Sequence, residues 1–333
     1  MLTLGIETSC DETACAVIEN ANIIRASVVS SSLTLHQPFG GVVPEIASRH
    51  ALEAIDLVYG ETLKKAKAKP EDVDLISVTV GPGLIGSLFV GVSFAKALSF
   101  ALDIPFVGVN HIEAHLEVNF LGKRRPGKYI GVVVSGGHTS ILKMSGENYH
   151  LLGETIDDAI GEAYDKVSKI LGLGYPGGPL IDKLAREGNP KTFSFTKPKQ
   201  EGDYNFSFSG IKTAALHLYQ REKNRFHSEQ YLKDFCASFQ EAVVRWVVGK
   251  ACLACEKEGI KTVVIGGGVS ANSRLRELFT EECKKRRYQL FLPERAWTTD
   301  NAVMIALLGY RKYRKGIRSD FKTVADPSLA IAL

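Results

Sequence analysis

No uninterrupted apolar run in the chain reaches about 18 residues, and the N-terminus, MLTLGIETSC, has no basic segment leading into an apolar one. These absences argue against membrane-spanning and secreted classes, so a cytoplasmic protein with no membrane partner is expected. Cysteine is sparse: six residues, at positions 10, 15, 236, 252, 255 and 283, include one Cys-x-x-Cys pair, in ACLACEKEG. No second pair or nearby histidine completes a zinc site there, so the pair reads as helix packing. Disulfides are not needed, because a chain of 333 residues buries roughly 75% of the surface it exposes when unfolded. Charge is nearly balanced, at +4. The basic residues nevertheless cluster in GKRRPGK (122–128), KKRRY (284–288) and YRKYRKGIR (310–318). Each cluster alone reads as a solvated loop or helix end, but three together suit a polyanionic partner.

Two segments share one pattern. TLGIETSCDETACAVIEN has strand character on both sides of a polar tip, Ser9 to Thr13, and YIGVVVSGGHTSILKMSG repeats it around Ser135 to Thr139. The repeat, about 125 residues apart, implies a duplicated architecture with one phosphate-sized tip per half and ligand between the halves. Elsewhere strands alternate with helices: DLISVTVG then SLFVGVSFAKALSFAL, PFVGVN then HIEAHLEVNFL, KTVVIGGG then ANSRLRELFTEECKKR. That alternation predicts α/β layers with a largely parallel core. TFSFTKPKQEGDYNFSFSGIKTAA lacks a clear period and reads as an irregular surface segment, whereas TDNAVMIALLGYRKYRKG reads as a final helix packing back on the first half.

Asn110 is a good N-cap, and Glu113, three residues on, has capping-box spacing, so a helix is expected to begin at His111. His111 and His115 then lie on one face, about 5–6 Å apart, close enough to bind one metal. Ordinary hydrogen-bonding histidines explain the pair equally well. The spacing departs from His-Glu-x-x-His, since Glu113 comes two residues after the first histidine, which weakens a peptidase reading. Asp300, at the mouth of an apolar helix, is either its N-cap or a third ligand.

Gly81, Gly83 and Gly86 match G-x-G-x-x-G after a strand. Asp103, though, precedes its strand instead of ending it, so close helix packing or ligand-facing amides are preferred to dinucleotide binding. Gly266 to Gly268 followed by Asn272, GYPGGPLIDKLA with Gly178 and Asp182, and DDAIGEAYDKV with Asp157, Asp158, Glu162 and Asp165 each permit either a turn, cap or helix face, or a nucleoside contact.

Taken together and in order, GIETSCDETA, GGVVPEIASRH, GPGLIGSLFVG, HIEAHLEV, VSGGHTSI, DDAIGEAYDKV, GYPGGP, FSFSGIKTA, GGGVSANSRLR and TDNAVMIA resemble the tRNA adenosine threonylcarbamoyltransferase family of the bacterial TsaD type. The resemblance implies an α/β actin-like, sugar-kinase-like and chaperone-like (ASKHA) fold of two related RNase H-like halves with an active-site cleft between them. Residues 1–108 with about 302–333 would form the first half, and 109–301, carrying most metal and adenylate contacts, the second. It implies transfer of threonylcarbamoyl from threonylcarbamoyl-AMP to the exocyclic amine of the adenosine 3′ of the anticodon in tRNAs reading codons that begin with A. His111, His115 and Asp300 match the ligands of one divalent metal, iron(II) first and zinc as the alternative. Val134, Ser135, Gly136, Gly137, His138, Asp165, Gly178, Asp182 and Asn272 match substrate-binding positions, and Asp11 and Glu12 match acids important for activity. Val133 and His138 stand where archaeal and eukaryotic members have tyrosine and asparagine, which points to the bacterial branch. The implied partners are tRNA, a paralogous pseudo-enzyme subunit of the TsaB type and a small ATPase of the TsaE type. A metallopeptidase and an ASKHA-type ATPase or scaffold subunit are the competing readings.

Overall fold

The computed structural model describes residues 1–146, 148–196 and 202–331. In chain order the elements begin with β1 (Leu2–Glu7), β2 (Glu12–Glu19), β3 (Ile23–Ser31), α1 (Leu33–His36), α2 (Pro44–Ala66), β4 (Leu75–Gly81) and α3 (Ile85–Leu102). Next come β5 (Phe106–Asn110), α4 (His111–Glu117), β6 (Lys128–Val134), β7 (Thr139–Ser145), β8 (Asn148–Glu154), α5 (Ile160–Leu171) and α6 (Gly177–Ala185). The last are α7 (Ser209–Arg221), α8 (Glu229–Glu258), β9 (Thr262–Gly266), α9 (Ser273–Arg286), β10 (Gln289–Phe291) and α10 (Ala302–Arg314).

The first compact unit comprises Met1–Arg125 and Thr299–Ile331. Its sheet has the order β3-β2-β1-β4-β5, antiparallel through β1, β2 and β3 and parallel through β1, β4 and β5. Side chains alternate across β1: Leu4 and Ile6 join Ile55 and Val58 of α2 and Val92 and Ala95 of α3 in one core. The opposite face is reserved for α10, whose residues Ala302 to Leu308 are all buried. Gly5 makes that approach possible, because a Cβ there would lie 2.1 Å from the Ala302 carbonyl oxygen. Helix α3 is long and apolar enough to cross a membrane by length and composition, though Lys96 interrupts it. It buries Leu88, Val92 and Ala95 and leaves Ile85, Phe89 and Phe100 exposed.

The second unit, Pro126–Thr298, repeats the topology in the order β10-β9-β6-β7-β8. Both sheets carry a register shift between the second and third antiparallel strands, at Val17/Ile18 and at Ile141/Leu142. Ile130, Val132 and Val134 of β6 pack with α5, α8 and α9 residues such as Val167, Phe239 and Leu275. Cys252 and Cys255 are buried in α8, so the Cys-x-x-Cys serves packing.

Two expectations need correction, and the compact units divide at Arg125/Pro126 and Thr298/Thr299. The reason is that α4 is tied to α10: Lys312 pairs with Glu113 at 2.7 Å and Arg311 with Glu117 at 2.5 Å. Glu113 therefore does not complete a capping box. The stretch 192–215 is not uniformly irregular surface, since Phe206 and Phe208 are fully buried against Trp246 and α7 begins at Ser209; residues 197–201 lie outside the described residues.

Candidate metal centre and substrate loops

The side chain of Asn110 starts α4 where the sequence places it, accepting from Ile112 N (2.9 Å) and Glu113 N (3.2 Å). The helix then turns His111 and His115 to one side, both buried, with ring centroids 4.6 Å apart. Asp300 does not cap α10. Asn301 does, accepting from Met304 N at 3.1 Å, and the Asp300 carboxylate faces the histidines instead. Asp300 Oδ1 lies 3.4 Å from His111 Nε2 and 3.2 Å from His115 Nε2, and the two Nε2 atoms are 3.1 Å apart. Tetrahedral bonds of about 2.0–2.1 Å hold ligand atoms about 3.3 Å from one another, so the three donors have the spacing of a zinc- or iron-sized ion, and their type suits either.

Charge at the cluster is strongly coupled. Burial pushes the His111 imidazolium down, but Asp300 and Glu7 together outweigh it and raise it to about 9. Burial and the neighbouring His111 charge hold His115 below its ordinary value. Glu12, at the first hairpin tip, is raised to about 10 by burial, then by Asp300 and Asp11. The Asp11 carbonyl accepts from Ser32 N (2.9 Å) and Ser32 Oγ (2.8 Å), fixing the tip.

In the second unit the tip from Ser135 to His138 closes on itself, with Ser135 N donating to His138 O (2.8 Å) and His138 N to Ser135 Oγ (3.0 Å). Gly267 (φ +91°) and Gly161 let the loop after β9 and the first turn of α5 reach this tip. A Cβ at Gly267 would meet the Val134 carbonyl oxygen at 2.3 Å, and one at Gly161 the Ser135 carbonyl oxygen at 2.7 Å. Asp165 accepts from Gly177 N at 2.7 Å and so fixes the start of α6, while Gly178 faces open space. Asn272 is the N-cap of α9, accepting from Leu275 N (2.9 Å). Its amide donates to Gln240 Oε1 (2.7 Å), and Gln240 Nε2 in turn donates to Asp182 Oδ1 (3.1 Å). Gln240 was not singled out in the sequence, although a buried amide within the apolar run FCASFQEAVVRW is a signal for such a clamp. Glu7, which ends a buried strand, was also not singled out.

The glycines of GPGLIG serve packing: a Cβ at Gly83 would lie 2.5 Å from the Ser9 carbonyl oxygen and one at Gly86 2.9 Å from the Ser48 Cβ. Of the basic residues, Arg125 and Arg311 both pair with the fully buried Glu117, whereas Lys123, Arg124, Arg314, Lys315 and Arg318 are exposed.

Two sheets of one topology in tandem define an ASKHA-class protein. Solved structures with this fold include T. kodakarensis HypF (TM-score 0.63, 16% identity, 95% of this chain and 48% of that one). The ROK hexokinase from Thermus thermophilus is another (TM-score 0.52, 15% identity, 95% of this chain and all of that one). Within that class the chain belongs to the TsaD family of tRNA N6-adenosine threonylcarbamoyltransferases, whose family model matches residues 23–307. Proteins with that description from Dictyoglomus turgidum and Thermosipho melanesiensis are 48% and 50% identical to it, each over 99% of this chain and 99% of the relative.

Proposed function

We propose that the chain transfers threonylcarbamoyl from threonylcarbamoyl-AMP to the exocyclic amine of the adenosine 3′ of the anticodon, in tRNAs reading codons that begin with A. Full-length similarity to the family supports the reaction, and the convergence of His111, His115 and Asp300 on one point is the observation that supports a metal-assisted form of it. A divalent ion there, iron(II) or zinc, supplies Lewis acidity and offsets the adenylate charge. The chain's own residues bind and orient. Because Ser135 N and His138 N are used within the tip, the amide contacts to the adenylate or its developing oxyanion fall to Gly136 and Gly137. Val134 and Gly178 line the loops that hold the nucleotide, and Asp165, Asp182 and Asn272 shape them. As the amine bonds to the carbamoyl carbon and AMP leaves, the ionised form of Glu12, at the first hairpin tip, is the proposed acceptor of the amine proton.

A peptidase reading is disfavoured because Glu113 is tied to Lys312 and is not available as a base. The reaction requires a TsaB-type pseudo-enzyme and a TsaE-type ATPase, the exposed apolar face of α3 being the proposed pairing surface, and takes place in the cytoplasm. Mass spectrometry of tRNA nucleosides after incubation with threonine, bicarbonate, ATP and the partner proteins tests the reading. Threonylcarbamoyladenosine is expected with the wild type, and its absence overturns the proposal. His111→Ala, His115→Ala and Asp300→Ala are each expected to stay folded and lose metal and product. A variant that keeps its full metal content removes that residue from the ligand set.

A further inference from the structure

Glu7 is the last residue of β1 and points to the same face as Gly5, toward α10, where the strand is otherwise closed by apolar packing. A carboxylate that is fully buried there must be satisfied by donors. Its Oε1 accepts from Ser9 N at 2.5 Å, and its Oε2 accepts from Thr79 Oγ1 at 2.7 Å and faces His111 Nδ1 at 3.0 Å. The Ser9 hydroxyl is 3.2 Å from the same nitrogen. His115 has no such support: among the described residues, its buried Nδ1 has no hydrogen-bond partner. Of the two histidines, only His111 is thus held by a carboxylate on the side away from the donor cluster.

We infer that Glu7 is a positioning residue which fixes His111 with its proton on Nδ1 and its Nε2 lone pair aimed at the ion. The inference rests on the metal reading of His111, His115 and Asp300. An acceptor at Oε2 obliges Nδ1 to donate, and the ring then has Nε2 free for the cluster. The three partners of Glu7 also show why a carboxylate is required. Ser9 N can only donate, so a glutamine whose NH2 takes the place of Oε1 meets a donor, whereas one whose NH2 takes the place of Oε2 meets His111 Nδ1, the Thr79 hydroxyl there being able to turn and accept. When that NH2 faces His111, it favours the wrong tautomer, with the proton on Nε2.

Zinc binding measured by competition with a chromophoric chelator tests this. The wild type is expected to bind one zinc ion, Glu7→Gln to bind it about 10–100-fold more weakly, and Thr79→Val, which removes one partner of the carboxylate, to fall between them. If the wild type holds no zinc, the metal reading fails and this inference fails with it. If the wild type binds and Glu7→Gln binds within twofold of it, the role of Glu7 alone is overturned. Should Glu7→Gln not fold, histidine-ring 1H–15N spectra of the zinc-loaded wild type decide. The inference requires His111 to be ligated through Nε2 with a slowly exchanging proton on Nδ1. Ligation through Nδ1, or an Nδ1 without its proton, overturns it.

Discussion

Asn301 caps α10 in place of its neighbour Asp300: the Asn301 carboxamide accepts from Met304 N at 3.1 Å and donates to Thr299 O at 2.7 Å. The same residue therefore starts the helix and braces the turn on which the carboxylate facing His111 and His115 sits. Asn301→Ala is expected to lower stability by about 1 kcal/mol and to weaken metal binding, while Asn301→Ser restores most of the stability. Urea unfolding and a metal titration on the same samples check both; unchanged metal affinity in Asn301→Ala would separate the cap from the site.

Arg125 and Arg311 take opposite oxygens of Glu117, which is fully buried. Removing one arginine leaves a poorly compensated charge in the interior, so Arg311→Met is expected to cost about 3–5 kcal/mol. The double change Arg311→Met with Glu117→Gln should recover part of that loss. Equilibrium denaturation of the single and double variants measures the recovery, and an additive outcome would contradict the pairing.

A route for tRNA needs cations exposed to solvent, as Lys123, Arg124, Arg314, Lys315 and Arg318 are. Neutralising Lys123 and Arg124, or Arg314, Lys315 and Arg318, is expected to weaken tRNA binding and flatten its salt dependence, with no change in unfolding temperature or in binding of threonylcarbamoyl-AMP. Fluorescence anisotropy across a salt series reads the slope. Identical slopes for the wild type and both variants would exclude these clusters as phosphate contacts.

Gln240 joins Asn272 to Asp182 in the second unit, so Gln240→Leu leaves Asn272 Nδ2 without its partner. Adenylate affinity is expected to fall about tenfold through misplacement of these two residues, with Gln240→Glu worse because it sets a second carboxylate beside Asp182. Isothermal titration with AMP checks this, and unaltered binding in Gln240→Leu would show that the clamp does not position the nucleotide.

Asp157 gathers Ser207 Oγ (2.5 Å), Ser209 Oγ (2.6 Å) and Phe208 N (2.7 Å) ahead of α7. Burial works to raise its pKa, but these hydrogen bonds outweigh it and hold the carboxyl below 3.8. A folded-state pKa depressed in this way gives stability that is complete above 3.8 and is lost as the pH falls through the lower folded value. The destabilisation of Asp157→Asn relative to wild type should therefore be constant near neutrality and close only under acid conditions. Unfolding curves across a pH series would show it, and a gap that persists at the acid end would contradict the carboxylate's role.

The hairpin tips, the start of α4 and the duplication were legible because local chemistry dictates them: a polar tip between apolar runs, an N-cap asparagine, a repeated strand pattern. His111 and His115 were legible as a pair for the same reason. The choice between cap and ligand for Asp300 was not, since Asp300 and Asn301 are both good caps and only the backbone path selects one. Glu7 and Gln240 act through partners distant in the chain, Thr79 and His111 for one, Asp182 and Asn272 for the other, so the local sequence, even where it flags a polar residue in an apolar run, does not say what either one holds. The tie between α4 and α10 is hidden for a related reason: the ion pairs that make it join residues nearly 200 apart in the chain.

The first unit is assembled from two separated segments, Met1–Arg125 and Thr299–Ile331, while among the described residues the second is the single stretch Pro126–Thr298. During synthesis the continuous unit leaves the ribosome whole before α10 exists, so it has everything it needs to fold first. Until α10 arrives, the face of β1 and β4 that it covers stays bare, and His111 and His115 wait for Asp300. The nascent chain thus carries an uncovered, apolar sheet face until residues 302–314 are made, and the cluster of His111, His115 and Asp300 closes only after Asp300 has been added.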